Sequence, residues 1–264
     1  MRSMELIVPY VCYTNTMIVN AIKTHKITNK DTSITAILDR YLKDFPDKSV
    51  LGIAAKIVSI CEGRFIALDK ADKDELIKQE SQWYTERTFS PLLISYAITN
   101  NVLVATAGID ESNAFGNYIL LPENPQKSAN EIREYLVKRF DIKYAGVVIV
   151  DGHTMPFRWG VMGQSIAYSG FEAIKWNKGK KDLFDREIKI SNQSIVEELA
   201  ATTSLVMGEA AEQTPLSVIT DVPFVTFQDR NPSKKELEEI KITPEEDMYW
   251  PLLKNGPWKK GKKK

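Results

Sequence analysis

Residues 145–151, AGVVIVD, constrain this chain most. Val147, Val148, Ile149 and Val150 are β-branched. An apolar run this short and this branched favours a buried strand over a helix. The run ends on a carboxylate, Asp151. Behind it come Gly152, His153 (one of only two histidines in the chain), Pro156 and Arg158. The expectation is a buried strand that stops at an acid and gives way to a tight, polar, cationic loop.

Three more stretches read as strands by the same logic: 50–60, 101–110 and 216–222. The first could bend near Ala54 and Ala55. Helices carry clearer marks. After Thr32 and Ser33, Ile34, Ile37, Leu38, Tyr41 and Phe45 keep a helical stripe. Ser128 with Glu131 has the form of a capping box ahead of Ile132, Tyr135, Leu136 and Phe140. Ser194 with Glu197 repeats it before Leu199, Val206 and Met207, and Gly208 supplies the stop. A charged segment, 233–240, reads as a fourth helix. Strands and helices alternate without a regular βαβ series, so the expected class is α+β and not a Rossmann fold.

Bulk properties exclude several functions. Thirty-five basic side chains balance 35 acidic ones, so no global field points to nucleic acid or an anionic membrane. No apolar run approaches the length of a membrane span. The N-terminal stretch, with an early arginine and Pro9, makes a poor signal peptide. Cys12 and Cys61 have neither a CxxC spacing nor a disulfide framework, which fits a reducing cytoplasm. Residues 254–264 hold six lysines and no acid, and read as a disordered solvated tail. Nucleic-acid binding through it is the lesser alternative.

Three acids share a context. Asp110 follows VATAGI, Asp151 follows VVIV, and Glu209 follows the helix that stops at Gly208. Rigid elements place ligands accurately, and hard divalent ions want oxygen donors, so the three are candidate ligands for magnesium or manganese. An acid beyond a helix C-terminus also worsens the local field unless a cation is present. Solvated turn residues are the plain alternative. Arg158, between Phe157 and Trp159, is a candidate catalytic cation for an oxyanion. Residues 176–187, with Lys178, Lys180, Lys181 and Arg186, are an exposed basic turn or a clamp for an acidic substrate. No GxxxxGK[ST] loop and no GxSxG elbow occur. His153 and His25 are weak candidates for a general base.

Five segments together resemble the coenzyme F-420-0:L-glutamate ligases, the γ-glutamyl ligases: KIVSICEGR (56–64), AGIDESN (107–113), LLPENP (120–125), GKKDLFDREIKIS (179–191) and LVMGEAAEQTP (205–215). Order and spacing match over residues 20–222. DGHTMPFRWG and DVPFVTFQDRNP look closer to a bacterial branch associated with folate metabolism. The resemblance implies a mixed-sheet α+β fold, a homodimer and a GTP-dependent ligase. The nucleotide phosphorylates an acceptor carboxylate, and the amine of L-glutamate attacks the acyl phosphate to form an amide. Mg2+ or Mn2+, with K+ assisting, is implied as well. The acceptor is a carboxylate-bearing small molecule, F420-0 or folate-like. No membrane or nucleic-acid partner is implied.

By the same resemblance, Asp110 and Asp151 match acids of a first metal. Glu209 matches a second-metal ligand, and Gly152 could offer only its backbone carbonyl. Asn113 matches a nucleotide contact. So do Ala55 and Lys56, the turn of Thr24, His25, Lys26 and Ile27, and the loop of Met207, Gly208, Glu209, Ala210, Ala211, Glu212, Gln213 and Thr214. The implied organisation is a catalytic region 1–222, an extension 223–253 with a short charged helix, and the tail 254–264. Two positions depart from the family. Ile60–Cys61 replaces a lysine, for which Lys56, on the same face of a regular strand, could partly substitute. Gly152 replaces a hydroxyl residue. These departures keep a second reading open: a metal- and nucleotide-binding regulator or scaffold without ligase activity.

Overall fold

A computed structural model describes residues 16–263. Cys12 and the N-terminal stretch weighed above as a leader lie outside the described residues. In chain order the elements begin with β1 (Ile18–Ile22), α1 (Ile34–Tyr41), β2 (Ser49–Ala54), α2 (Ala55–Cys61), β3 (Phe65–Ala67), α3 (Lys73–Glu80) and β4 (Trp83–Tyr84). Then come β5 (Tyr96–Thr99), β6 (Val102–Ala105), β7 (Asn117–Ile119), α4 (Pro125–Phe140), β8 (Ala145–Thr154) and β9 (Val161–Ser169). The last third holds β10 (Ile174–Lys175), β11 (Gln193–Ser194), α5 (Ile195–Met207), β12 (Leu216–Thr220), α6 (Lys234–Glu239), α7 (Trp250–Leu253) and β13 (Lys259–Lys260).

The main sheet has the order β1-β12-β2-β8-β9. Only β2 and β8 run parallel, and every other neighbour pair is antiparallel. The chain is therefore α+β with a mixed sheet, not a Rossmann fold. The apolar first part of β8, 145–150, is explained by two cores. Val147 and Ile149 pack with Leu51, Ile53, Leu38 of α1, Val58 of α2 and Ile132 and Leu136 of α4. Val148 and Val150 pack on the opposite face with Val50, Ile219 and Ile195, Val196 and Leu199 of α5. A strand covered on both faces has no solvent side on which to alternate polar residues. A smaller sheet, β13-β4-β5-β6, closes over Leu76 and Ile77 of α3 with Ala97, Ile109 and Leu120.

Several expectations shift. The strand expected over 50–60 ends at Ala54, the last residue paired to β8, and 55–61 is helix α2. Short apolar runs suit either state, and here tertiary packing against α1 decides. The strand expected over 101–110 stops at Ala105, because Thr106, Ala107 and Gly108 all take left-handed backbone angles. The strand that was to end at Asp151 continues to Thr154, paired residue by residue to β9, so 151–154 is ribbon and the turn is 155–160. The strand expected over 216–222 closes at Thr220, before the left-handed Asp221.

At the helices, Ser33 caps α1 by accepting the Ala36 N–H, as expected. Helix α4 starts earlier than expected, at Pro125 behind an Asn124 cap. Ser128 lies inside it and donates to Glu62 instead of capping. Proline at the first helical position needs no donor, which favours this start. Ser194 sits at the cap position of α5 without a side-chain cap. Glu197 turns instead to the Ser165 backbone N–H. Gly208 ends that helix at φ 76°. The charged segment forms α6, with a full capping box between Ser233 and Glu236.

The Lys-rich end does not remain unstructured. Lys259 and Lys260 pair with Tyr84 and Trp83, and the Gly261 N–H donates to Gln82 O. Lys259 reaches Glu86 and Lys263 reaches Glu80. A non-local acidic edge, invisible to composition, supplies the partners.

Candidate active site

The parallel register sets the site. Ala54 of β2 stands beside Val150 of β8, so Asp151, still paired to β9, comes directly after the last residue paired to β2, and Lys56 sits in the first turn of α2 that follows Ala54. The Lys56 ammonium lies 2.6 Å from Asp110 Oδ2 and donates to Ser112 O at 2.8 Å. Asp110 in turn accepts from the Ser112 N–H at 2.7 Å and from its hydroxyl at 3.1 Å. The Asp110 backbone exchanges both hydrogen bonds with Ile119 of β7, which fixes the turn that carries it.

Burial raises the Asp110 carboxyl, but the Lys56 ammonium and the two Ser112 bonds outweigh it and hold the pKa below the usual carboxylate range. Asp151 is pushed up to about 6. Burial is the main cause, the charges of Asp110 and Glu209 add to it, and the Gly152 N–H and Lys56 oppose it. Glu209 is raised by burial and by Glu212 and Asp110, against Lys56. Three carboxylates therefore share one electrostatic field around a single lysine. A Cβ on Gly152 would stand 3.6 Å from Glu209 Oε2, so the Glu209 carboxylate lies over that glycine.

The segments expected to receive a nucleotide also meet. The Thr24 N–H donates to Gln213 O at 2.8 Å, and the Asn113 amide donates to Ala210 O at 2.7 Å. The 207–214 loop is folded on itself: Ala210 N–H donates to Glu212, and the Thr214 hydroxyl donates to Met207 O. Gly208 has φ 76°, and a side chain there would run into Glu212 at 2.5 Å.

Arg158 stands apart from these residues. It lies in the exposed 155–160 turn at the tip of the β8–β9 ribbon, between the fully exposed Phe157 and Trp159. Asp151–Thr154 carry the strand on at about 3.3 Å per residue, which removes the tip from the acids by on the order of 10 Å. Lys56 shares a face with Ile60 as expected, but through the four-residue period of α2, not through a strand. The 176–187 stretch forms an exposed turn held by its own backbone. His153 is half-buried, and burial lowers its pKa. Ser112 was missed by sequence reasoning. Its signal was the Asp-x-Ser spacing of a local turn, in which the carboxylate accepts the N–H two residues on.

The donor set suits a hard divalent ion in type and in charge. Among the described residues, however, no three His, Cys, Asp or Glu side chains stand at metal-holding spacing. As folded, Lys56 pairs with Asp110, and Asp151 and Glu209 feel both charges without touching the ammonium. Among the described residues no helix is long and apolar enough to cross a membrane.

The chain is an α+β protein with a carboxylate-and-lysine centre, a glycine-broken loop at a helix end and no Walker loop. Residues 21–221 match the family described as F420-0:Gamma-glutamyl ligase, and the chain belongs to that family. It is 35% identical over 236 residues to the coenzyme F420:L-glutamate ligase of Methanococcus maripaludis strain C7, covering 84% of this chain and 92% of that one. The protein of the same description from Methanocaldococcus jannaschii is 32% identical, covering 77% of each chain. The one from Archaeoglobus fulgidus is 31% identical, covering 80% of this chain and 87% of its own. The chain is thus a ligase that forms carbon–nitrogen bonds.

Proposed function

We propose that this ligase joins the amine of L-glutamate to a carboxylate-bearing acceptor, F420-0 or a folate-like molecule, at the expense of GTP. The observation that supports this most is the Lys56–Asp110 pair within electrostatic range of Asp151 and Glu209, together with the meeting of Thr24 and Asn113 with the 207–214 loop. Three acids and one lysine leave a negative centre suited to cations that accompany a triphosphate.

In this reading the γ-phosphoryl group passes to the acceptor carboxylate, releasing GDP. The glutamate amine then attacks the acyl carbon, phosphate leaves, and an amide remains. Lys56, freed from Asp110, holds a phosphate oxygen. Ser112 keeps Asp110 oriented. The 207–214 loop and the 24–27 turn seat the nucleotide, with Ala55 at the start of α2 beside them. Asp110, Asp151 and Glu209, with the Gly152 carbonyl, would hold Mg2+ or Mn2+, and K+ would assist. The ion, when bound, screens the phosphate charge as it is transferred.

The reading includes a homodimer. The ribbon tip joins Met155, Phe157 and Trp159, all exposed, to the Arg158 cation. A second copy is the occupant that this mixed apolar and basic surface fits, because the acid centre of that copy offers the complementary charge. Arg158 then acts on the oxyanion across the pair.

The test is incubation of the purified chain with GTP, Mg2+ and L-glutamate, with F420-0 or a folate monoglutamate as acceptor. Mass spectrometry should show an acceptor carrying one more glutamate, and GDP release should require both co-substrates. GTP binding with no adduct from either acceptor would favour the regulator or scaffold reading, which the Lys56–Asp110 pair also fits.

A further inference from the structure

We propose that His25 is a positioning residue: its ring, held between Asp31 and Tyr41, fixes the 24–27 turn against the 207–214 loop. The inference rests on the GTP reading above and deepens it. The ring acts by holding the turn that seats the nucleotide.

Strand β1 pairs with β12 up to Ile22 and Leu216, so the 24–27 turn leaves the sheet where the 207–214 loop enters it. One hydrogen bond, from Thr24 N–H to Gln213 O, links the two directly. A single bond does not orient a turn. The rest comes from His25. Its backbone N–H donates to the Tyr41 hydroxyl at 2.9 Å, and Nδ1 lies 2.8 Å from the same oxygen. A carboxylate can only accept, so Nε2 donates to Asp31 Oδ1 at 2.8 Å, and Nδ1 shares the other hydrogen bond with the Tyr41 hydroxyl. The other Asp31 oxygen accepts the Thr28 N–H at 2.9 Å, which closes the 25–31 segment on itself. The His25 and Tyr41 rings also stack, 24° from parallel.

Both ring nitrogens are therefore used within the chain, and neither remains for a ligand or a proton transfer. Tyr41 is the last residue of α1, which Ile37 and Leu38 root in the core. The result is a continuous line: core, α1, Tyr41, His25, Thr24, Gln213. The loop reaches onward through Ala210 O to Asn113. A nucleotide held between the 24–27 turn and the loop depends on that line for the distance between its two walls.

The experiment compares wild type, His25→Ala, His25→Gln and Tyr41→Phe by steady-state kinetics, calorimetric GTP binding with Mg2+, and thermal melting. His25→Ala should raise KM for GTP about tenfold and leave kcat and KM for glutamate within about twofold, the loss of one to two hydrogen bonds in a folded protein. His25→Gln, whose amide can still donate to Asp31, should recover most of the affinity. Tyr41→Phe, which removes one hydroxyl and no volume, should give a smaller change of the same kind. A lower melting temperature with wild-type KM for GTP in all three variants would overturn the inference and make the network structural. Failure of the wild type itself to bind GTP would overturn the nucleotide reading first, and this inference with it.

Discussion

The three acids of the centre are not equivalent, and their differences set opposite expectations. Folding raises the Asp151 carboxyl to about 6, mainly through burial. The native state then holds that proton more tightly than the unfolded chain does, so stability falls as pH climbs from about 4 to 6 and stays reduced above it. Asp151→Asn removes the ionisation with little change of shape. Without metal it should stabilise the chain by on the order of 2 kcal/mol at pH 8, and the gain should vanish near pH 4. Asp110 behaves the other way. Its pKa is lowered through Lys56 and Ser112, so its contribution is present above the ordinary carboxylate range and lost as pH falls. Asp110→Asn should cost stability at pH 8, though well under ~1 kcal/mol, because the pair is partly exposed to solvent. Melting curves of both variants in chelator, at pH 8 and pH 4, check the opposite signs. Equal shifts in both would mean that the two carboxylates do not sit in the environments described. With Mg2+ and GTP added, both variants should gain less stability than wild type, since a ligand stabilises the native state by an amount that grows with the logarithm of its affinity.

Among the elements, the C-terminal strand shows best what the sequence conceals. Six lysines and two glycines read as a solvated tail, because composition reports only what a segment could do alone. Its partners, Glu86, Glu80 and the β4 edge, stand far away in sequence, and no local pattern points to them. The same blindness explains α2. Residues 50–60 are mostly apolar, and only the end of the β8 pairing at Ala54 divides strand from helix. What was legible was strong and local: the β8 run, the Ser33 and Gly208 boundaries, and the acids that follow apolar elements. The meeting of Lys56 with Asp110 was not legible, because a helix start and a left-handed turn 54 residues apart bring them together. The strand makes a sharp test. A Cβ on Gly261 would stand 1.9 Å from Ser81 O, a backbone atom that cannot move aside alone. Gly261→Ala should therefore lower the melting temperature, by about 1–3 kcal/mol of stability if the strand shifts to relieve the clash. Removal of residues 258–264 should do the same while leaving GTP affinity near wild type. An unchanged melting temperature in both would mean that the end of the chain does not dock.

At the scale of the whole molecule, the β8–β9 ribbon raises the remaining question. Phe157 and Trp159 are 103% and 100% exposed, as open as in an extended chain, and Met155 and Val161 are half exposed beside them. Large aromatic side chains in full contact with water forgo the burial that normally stabilises them, and contiguous apolar surface of this kind marks an association site. A stable pair of copies needs about 1,200–2,000 Å2 of buried surface, and its affinity concentrates in a few central aromatic and arginine side chains. The tip presents that combination. If it is the contact between copies, Phe157→Ser with Trp159→Ser should convert the dimer to single chains. The melting temperature of the isolated chain should barely change, because neither side chain packs within it. Activity should fall with the dimer if Arg158 serves the acid centre of the second copy. Mixing the double variant with an Asp151→Asn chain separates the two effects. Sedimentation should show whether the variants pair, and any recovered turnover should track the paired fraction. A double variant that stays dimeric with full activity would remove the ribbon from the interface and leave Arg158 without a part in the reaction.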